Sequence, residues 1–211
     1  MKLGNVLILG DSYSTFEGYI PEGYAPHYGK NLHPECGITK VSETWWQRLI
    51  DKTESHLILN SSWSGTTVCH TGYNKSDCID RSFAARLDRL IEEDFFEKNS
   101  IDTVLVFGGT NDNWAGSPIG ELMYAEWTTQ DLYSFRPAFC YVLSRLREAV
   151  PTARVINIVN TELKAEVVDG MLEACEHYGV QCLQLCDIEK VNGHPTAKGM
   201  EQICEQILHI L

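Results

Sequence analysis

Val6-Leu7-Ile8-Leu9-Gly10-Asp11-Ser12 decides the fold. Four apolar residues in a row, with no polar alternation, read as a short strand buried on both faces. A glycine, an aspartate and a serine then follow directly. Open parallel sheets place their chemistry just beyond the carboxyl ends of the strands, so Ser12 stands where a reactive side chain is expected.

Working outward, four further apolar runs read as strands, giving candidates at 5–9, 56–60, 103–107, 154–159 and 181–185. Helical patterns fall between them at 42–53, 79–98, 135–150, 163–178 and 196–210. The second helix carries Ile79, Phe83, Leu87, Leu90, Ile91 and Phe95 at helical spacing. Strands alternating with helices predict a three-layer α/β/α sandwich around a central five-stranded parallel sheet, in the α/β class. The chain has 211 residues, a length that suits one domain spanning 1–211.

Two segments exceed what this skeleton needs. One, residues 13–41, follows Ser12 and carries Phe16, Tyr19, Tyr24, His27 and Tyr28. The other, residues 112–134, carries Trp114, Tyr124, Trp127 and Tyr133. Both follow carboxyl ends of strands, so both are expected to overhang the active face.

Hydrophobic residues make up 44% and charged residues 22%, which is ordinary for a globular fold with a full core. The formal net charge of -12 argues against nucleic acid or an anionic membrane as partner, since both demand clustered Lys and Arg. The run 6–9 is too short for the core of a signal peptide, and no stretch approaches a membrane span. As it stands the sequence reads as cytoplasmic, and its eight cysteines as reduced thiols rather than a disulfide frame or a metal site. Nucleotide-binding glycine loops, a His-Glu-x-x-His metal motif and a Gly-x-Ser-x-Gly elbow are all missing.

Serine is a weak nucleophile and needs a base, together with donors for a developing oxyanion. The chain offers both, in order: Asn60-Ser61-Ser62-Trp63-Ser64-Gly65, then Gly109-Thr110-Asn111-Asp112, and last His194-Pro195. Gly65 lets backbone approach a reacting centre, and Asn111 supplies an amide at the end of a buried strand. Asp11 and Asp112 read as structural, bonding backbone groups of their own loops.

In block order this pattern resembles the SGNH (GDSL-like) hydrolase superfamily, serine esterases of flavodoxin-like fold. The resemblance implies Ser12 as nucleophile and His194 as general base, with no metal and no cofactor. It implies an oxyanion hole made by the Ser12 N–H, the Gly65 N–H and the Asn111 side-chain amide. That family usually has an Asp three residues before the histidine, and here the position is Val191. A backbone carbonyl near Val191 is then the favoured acceptor for the His194 Nδ1 proton, with Asp187 or Glu189 folding back as the alternatives.

The expected function is hydrolysis of short acyl esters, acetyl foremost, on a small molecule or carbohydrate, through an acyl-serine intermediate. Trp63, Trp114 and Trp127 are the candidate faces for a sugar ring. The alternatives are a catalytically silent carbohydrate-binding module, kept open by Val191, or a lysophospholipase, thioesterase or acyltransferase using the same serine.

Overall fold

The computed structural model describes residues 2–211. Strands β1 (Asn5–Gly10), β2 (His56–Ser62), β3 (Thr103–Phe107), β4 (Arg154–Val159) and β5 (Gln181–Gln184) form one parallel sheet in the order β2-β1-β3-β4-β5. The strand order reverses between β1 and β3, which is where crevices open in sheets of this kind. Gly10 pairs with Ser62 on one side and Phe107 on the other, so three strands end level with one another. A Cβ on Gly10 would lie 2.4 Å from Ser62 Oγ, and only glycine permits that approach.

The side-chain alternation of the strands divides the core in two. Leu7, Leu9, Val104, Val106 and Val155 face one layer, built from α2 (Phe83–Glu92), α5 (Phe135–Ala149) and α6 (Ala165–Tyr178). Val6, Ile8, Leu105, Phe107 and Ile156 face the other, built from α1 (Trp45–Thr53) and α7 (Ala197–Ile210). The predicted three-layer sandwich is the fold observed.

The single helix expected at 79–98 is two: α2, and a short α3 (Phe95–Lys98). Ser82 caps α2 by accepting from the Ala85 N–H, and Asp94 at φ 56 breaks the helical path before α3. Ile79 therefore lies outside the apolar stripe and is exposed. A further short helix, α4 (Thr110–Ala115), occupies the start of the second long segment. A two-stranded antiparallel hairpin, β6 (Lys190–Val191) with β7 (His194–Pro195), carries the histidine. Among the described residues no helix is long and apolar enough to cross a membrane. All eight cysteines are free.

Candidate active site

Ser12 opens a single helical turn after β1, and the Asp11 carboxylate caps it by accepting the Tyr13 N–H at 3.0 Å. Across the crevice, His194 Nε2 lies 3.0 Å from Ser12 Oγ. Its Nδ1 faces the Asn192 carbonyl at 3.3 Å. A carbonyl can only accept, so Nδ1 carries the proton and Nε2 presents its lone pair to the serine hydroxyl. Burial pushes the His194 pKa down, and the Asn192 carbonyl partly offsets this. The ring thus turns its Nε2 toward the Ser12 hydroxyl.

Asp187 and Glu189 do not orient His194. Asp187 sits at φ 52 in an exposed turn. Glu189 accepts from the Thr196 hydroxyl at 2.6 Å and faces Lys198 at 3.8 Å, so its carboxylate serves the start of α7. Val191 packs against the apolar cluster on the α1/α7 side. The neutral acceptor expected near Val191 is present one residue further on, at Asn192.

Gly65 has φ +78, and a Cβ there would meet nothing within 4 Å. The glycine answers to its backbone angle rather than to crowding, and the space beside it stays open. Asn111, in the first turn of α4, donates from Nδ2 to the Thr66 carbonyl at 3.0 Å. Tyr73 donates its hydroxyl to Asn111 Oδ1 at 2.7 Å. With both bonds made, the amide is held in one orientation and the second N–H of Nδ2 remains free for a ligand.

Asp112 is structural, but it serves a different loop from its own. Its carboxylate accepts the N–H groups of Val68 at 2.8 Å and Cys69 at 3.1 Å, fixing the segment that follows Gly65. Arg86 is fully buried on α2 and packed 4.4 Å over the Phe83 ring. Its guanidinium donates to the carbonyls of Gly10 at 3.1 Å and Ser61, and to Thr66 Oγ1 at 3.3 Å. One side chain thereby ties the ends of β1 and β2 to the Gly65 loop. Desolvation pushes the Asp11 carboxyl up to about 7 and Asp112 up to about 6, and lowers the Arg86 guanidinium to about 10.

Three tryptophans were expected near the site, and the structure separates them. Trp114, 43% exposed, meets the His194 ring edge-on at 5.6 Å. Trp63 stacks on Tyr24 at 4.3 Å, two residues before Gly65. Trp127 belongs elsewhere: its indole N–H donates to the Met123 carbonyl at 2.9 Å, and it lines a separate cavity with His70, Arg89 and Tyr141. The second long segment leaves the active face after Trp114, since Tyr124 stacks on His177 of α6. The first long segment stays, and its His27 covers one face of His194.

Arg86 and Tyr73 were not legible as site components, and the Asn192 carbonyl was legible only as an acceptor somewhere near Val191. Arg86 sits on an amphipathic helix where an arginine ordinarily faces water, and a backbone carbonyl has no sequence signature. The length of 13–41 did point to a segment over the active face, but not to His27 or Tyr28 in particular.

The family model for GDSL-like lipase/acylhydrolase matches residues 4–211. The chain belongs to that family. It is similar to a structure from Bacteroides ovatus assigned as a GDSL-like lipase, with 42% identity and a TM-score of 0.92, covering 100% of this chain and 98% of that one. A second, from Bacteroides uniformis and assigned likewise, is 48% identical with a TM-score of 0.91, covering 99% and 95%. The fold is also that of an acetyl xylan esterase from Butyrivibrio proteoclasticus, at 16% identity and a TM-score of 0.61, covering 100% of this chain and 64% of that one. Among curated proteins, none matches the sequence. As a GDSL-like family member the protein is a hydrolase.

Proposed function

We propose that this hydrolase is a serine esterase that removes short acyl groups, acetyl foremost, from carbohydrate or other small-molecule esters. The observation that carries this reading is the 3.0 Å contact between Ser12 Oγ and His194 Nε2, with the Nδ1 proton committed to a carbonyl.

Ser12 Oγ attacks the ester carbonyl carbon while its proton passes to His194 Nε2. The carbonyl oxygen becomes an oxyanion facing the Ser12 and Gly65 N–H groups and the Asn111 amide. His194 returns the proton to the alkoxy oxygen as the carbon–oxygen bond breaks, leaving acyl-Ser12. Water, deprotonated by His194, attacks this ester; the bond from the acyl carbon to Ser12 Oγ breaks, Oγ takes the proton back from His194, and the carboxylic acid leaves. No carboxylate stabilises the imidazolium directly, so turnover is expected to be slow.

Access to the nucleophile favours a small acyl group, because Ser12 is 3% exposed and Tyr13 beside it is fully buried. The exposed indole of Trp114 next to His194, and the Trp63–Tyr24 stack, offer flat faces on which a sugar ring can pack. The fold shared with the Butyrivibrio acetyl xylan esterase is one on which such chemistry is performed.

The test is hydrolysis of p-nitrophenyl acetate, butyrate and octanoate, beside acetate release from O-acetylated xylo-oligosaccharides. Falling rates along the series with release of acetate agree with the proposal. Faster cleavage of octanoate would point to a lipid or thioester substrate. Sugar binding without turnover would favour the silent binding module that Val191 kept open.

A further inference from the structure

The His194 ring is one end of a column of three imidazoles. His27 lies against it with centroids 3.7 Å apart and planes 13° from parallel. His33 lies on the far face of His27 at 3.9 Å, again at 13°. His33 Nδ1 then meets the Glu35 carboxylate at 3.1 Å. All three partners come from the long segment after Ser12, which the chemistry above does not use.

A carboxylate beside a catalytic histidine fixes the tautomer, fixes the ring's orientation and favours the imidazolium. Here the Asn192 carbonyl settles the tautomer, but one bond of 3.3 Å leaves the ring free to turn about that axis. We propose that His27 is the positioning residue that sets the plane of the His194 ring, with the His33–Glu35 pair backing it, in place of the absent carboxylate. The proposal rests on the reading of His194 as the base for Ser12.

The packing of the column supports a built element. The His27 backbone N–H donates to Thr15 Oγ1 at 2.8 Å, and the Thr15 hydroxyl donates to the Ser12 carbonyl at 3.0 Å, so the turn at Ser12 holds the backbone that carries the stacking ring. The next residue, Tyr28, donates its hydroxyl to the Pro195 carbonyl at 3.1 Å. Neighbours of His27 are therefore pinned to neighbours of both Ser12 and His194. His33 holds its ring in place from a left-handed backbone at φ 46, which is unfavourable for a non-glycine residue and persists where surroundings demand it.

The chemistry of His27 agrees. It is 8% exposed, and its Nε2 is buried without a hydrogen-bond partner, so the ring acts through its face. Desolvation, with His194 and His33 adding to it, lowers its pKa to about 3 and keeps it neutral. A neutral ring face beside a forming imidazolium attracts rather than repels it. The other groups facing His194 are the Tyr13 ring at 5.4 Å, the Trp114 ring, and the charges of Lys190 and Glu35. His33, when charged, and Lys190 oppose the protonated ring, and Glu35 favours it by a smaller amount.

The experiment compares His27→Ala, His27→Gln and His27→Phe in the full chain, by kcat and KM on p-nitrophenyl acetate and by 15N NMR titration of the His194 ring. Loss of the stacked face should lower kcat by about tenfold or more in the Ala and Gln variants with little change in KM. Phe, which keeps a flat face and no polar atom, should recover most of the loss. In wild type the NMR signals should report proton on Nδ1 and none on Nε2 in the neutral ring. The Ala and Gln variants should keep the Nδ1 proton, while the Nε2 signal moves toward that of a nitrogen that has lost its Ser12 hydroxyl donor. Wild-type kcat and unchanged His194 signals in all three would overturn the proposal, as would rescue by Gln but not Phe. If wild type shows no Ser12-dependent turnover, the esterase reading falls, and the NMR comparison still decides whether His27 positions His194.

Discussion

The Tyr13 hydroxyl donates to the carbonyl of Gly193, joining the residue after Ser12 to the residue before His194. Ser12 and His194 are far apart in sequence and arrive on separate loops, so their contact depends on such clamps. Removing the hydroxyl in Tyr13→Phe should cost about 1 kcal/mol, since a half-buried carbonyl loses its donor. The hairpin would loosen, and kcat should fall more than KM rises. Urea unfolding and steady-state kinetics check both effects, and a variant indistinguishable from wild type would contradict the clamp.

Asn111 offers a graded test of the oxyanion donors. Asn111→Ala should lower kcat by about 10²–10³, the range for loss of one such donor. Tyr73→Phe leaves the amide in place but frees it to rotate, so its loss should be smaller and still mainly in kcat. Equal kcat in wild type and Asn111→Ala would remove the amide from the mechanism.

The pH–rate profile of kcat/KM reports the base in the free enzyme. Burial lowers the His194 pKa, so the acidic limb should inflect below the ordinary histidine value of about 6.5. Glu35 favours the imidazolium, so Glu35→Gln should move that inflection to still lower pH. An inflection above the ordinary value would mean that a carboxylate reaches Nδ1 after all.

Asp11 ties stability to pH. Its folded pKa of about 7 lies above the unfolded value of 3.8, so between them the folded protein holds the extra proton. Stability should therefore fall as pH rises through this window, by on the order of a few kcal/mol, and level off above it. Asp112, raised to about 6, adds the same sign over a narrower range. Asp11→Asn should flatten the dependence of the urea midpoint between pH 4.5 and 8, and an unaltered slope would contradict the assignment.

The layers of the fold were legible because burial on both faces leaves continuous apolar strands such as 6–9 and 103–107. Ser12, Gly65, Asn111 and His194 were legible as a set because each follows a strand end or precedes the last helix. The break at Asp94 was hidden, since apolar spacing continues through Phe95 while the backbone turns left-handed. Trp127 misled because sequence shows that an aromatic residue follows a strand, not which way its loop runs. The partner of His194 Nδ1 was legible only as a carbonyl near Val191, and Arg86 and the His27 stack exist through contacts between distant segments.

The central claim is that Ser12 is an activated nucleophile without a carboxylate in its triad. Labelling by a fluorophosphonate probe, followed by peptide mass analysis, tests it directly in wild type, Ser12→Ala and His194→Ala. The account predicts one adduct, on Ser12, that disappears in Ser12→Ala and forms at least about 10³ times more slowly without His194. No adduct on folded wild-type protein, or an adduct on another serine, would contradict it.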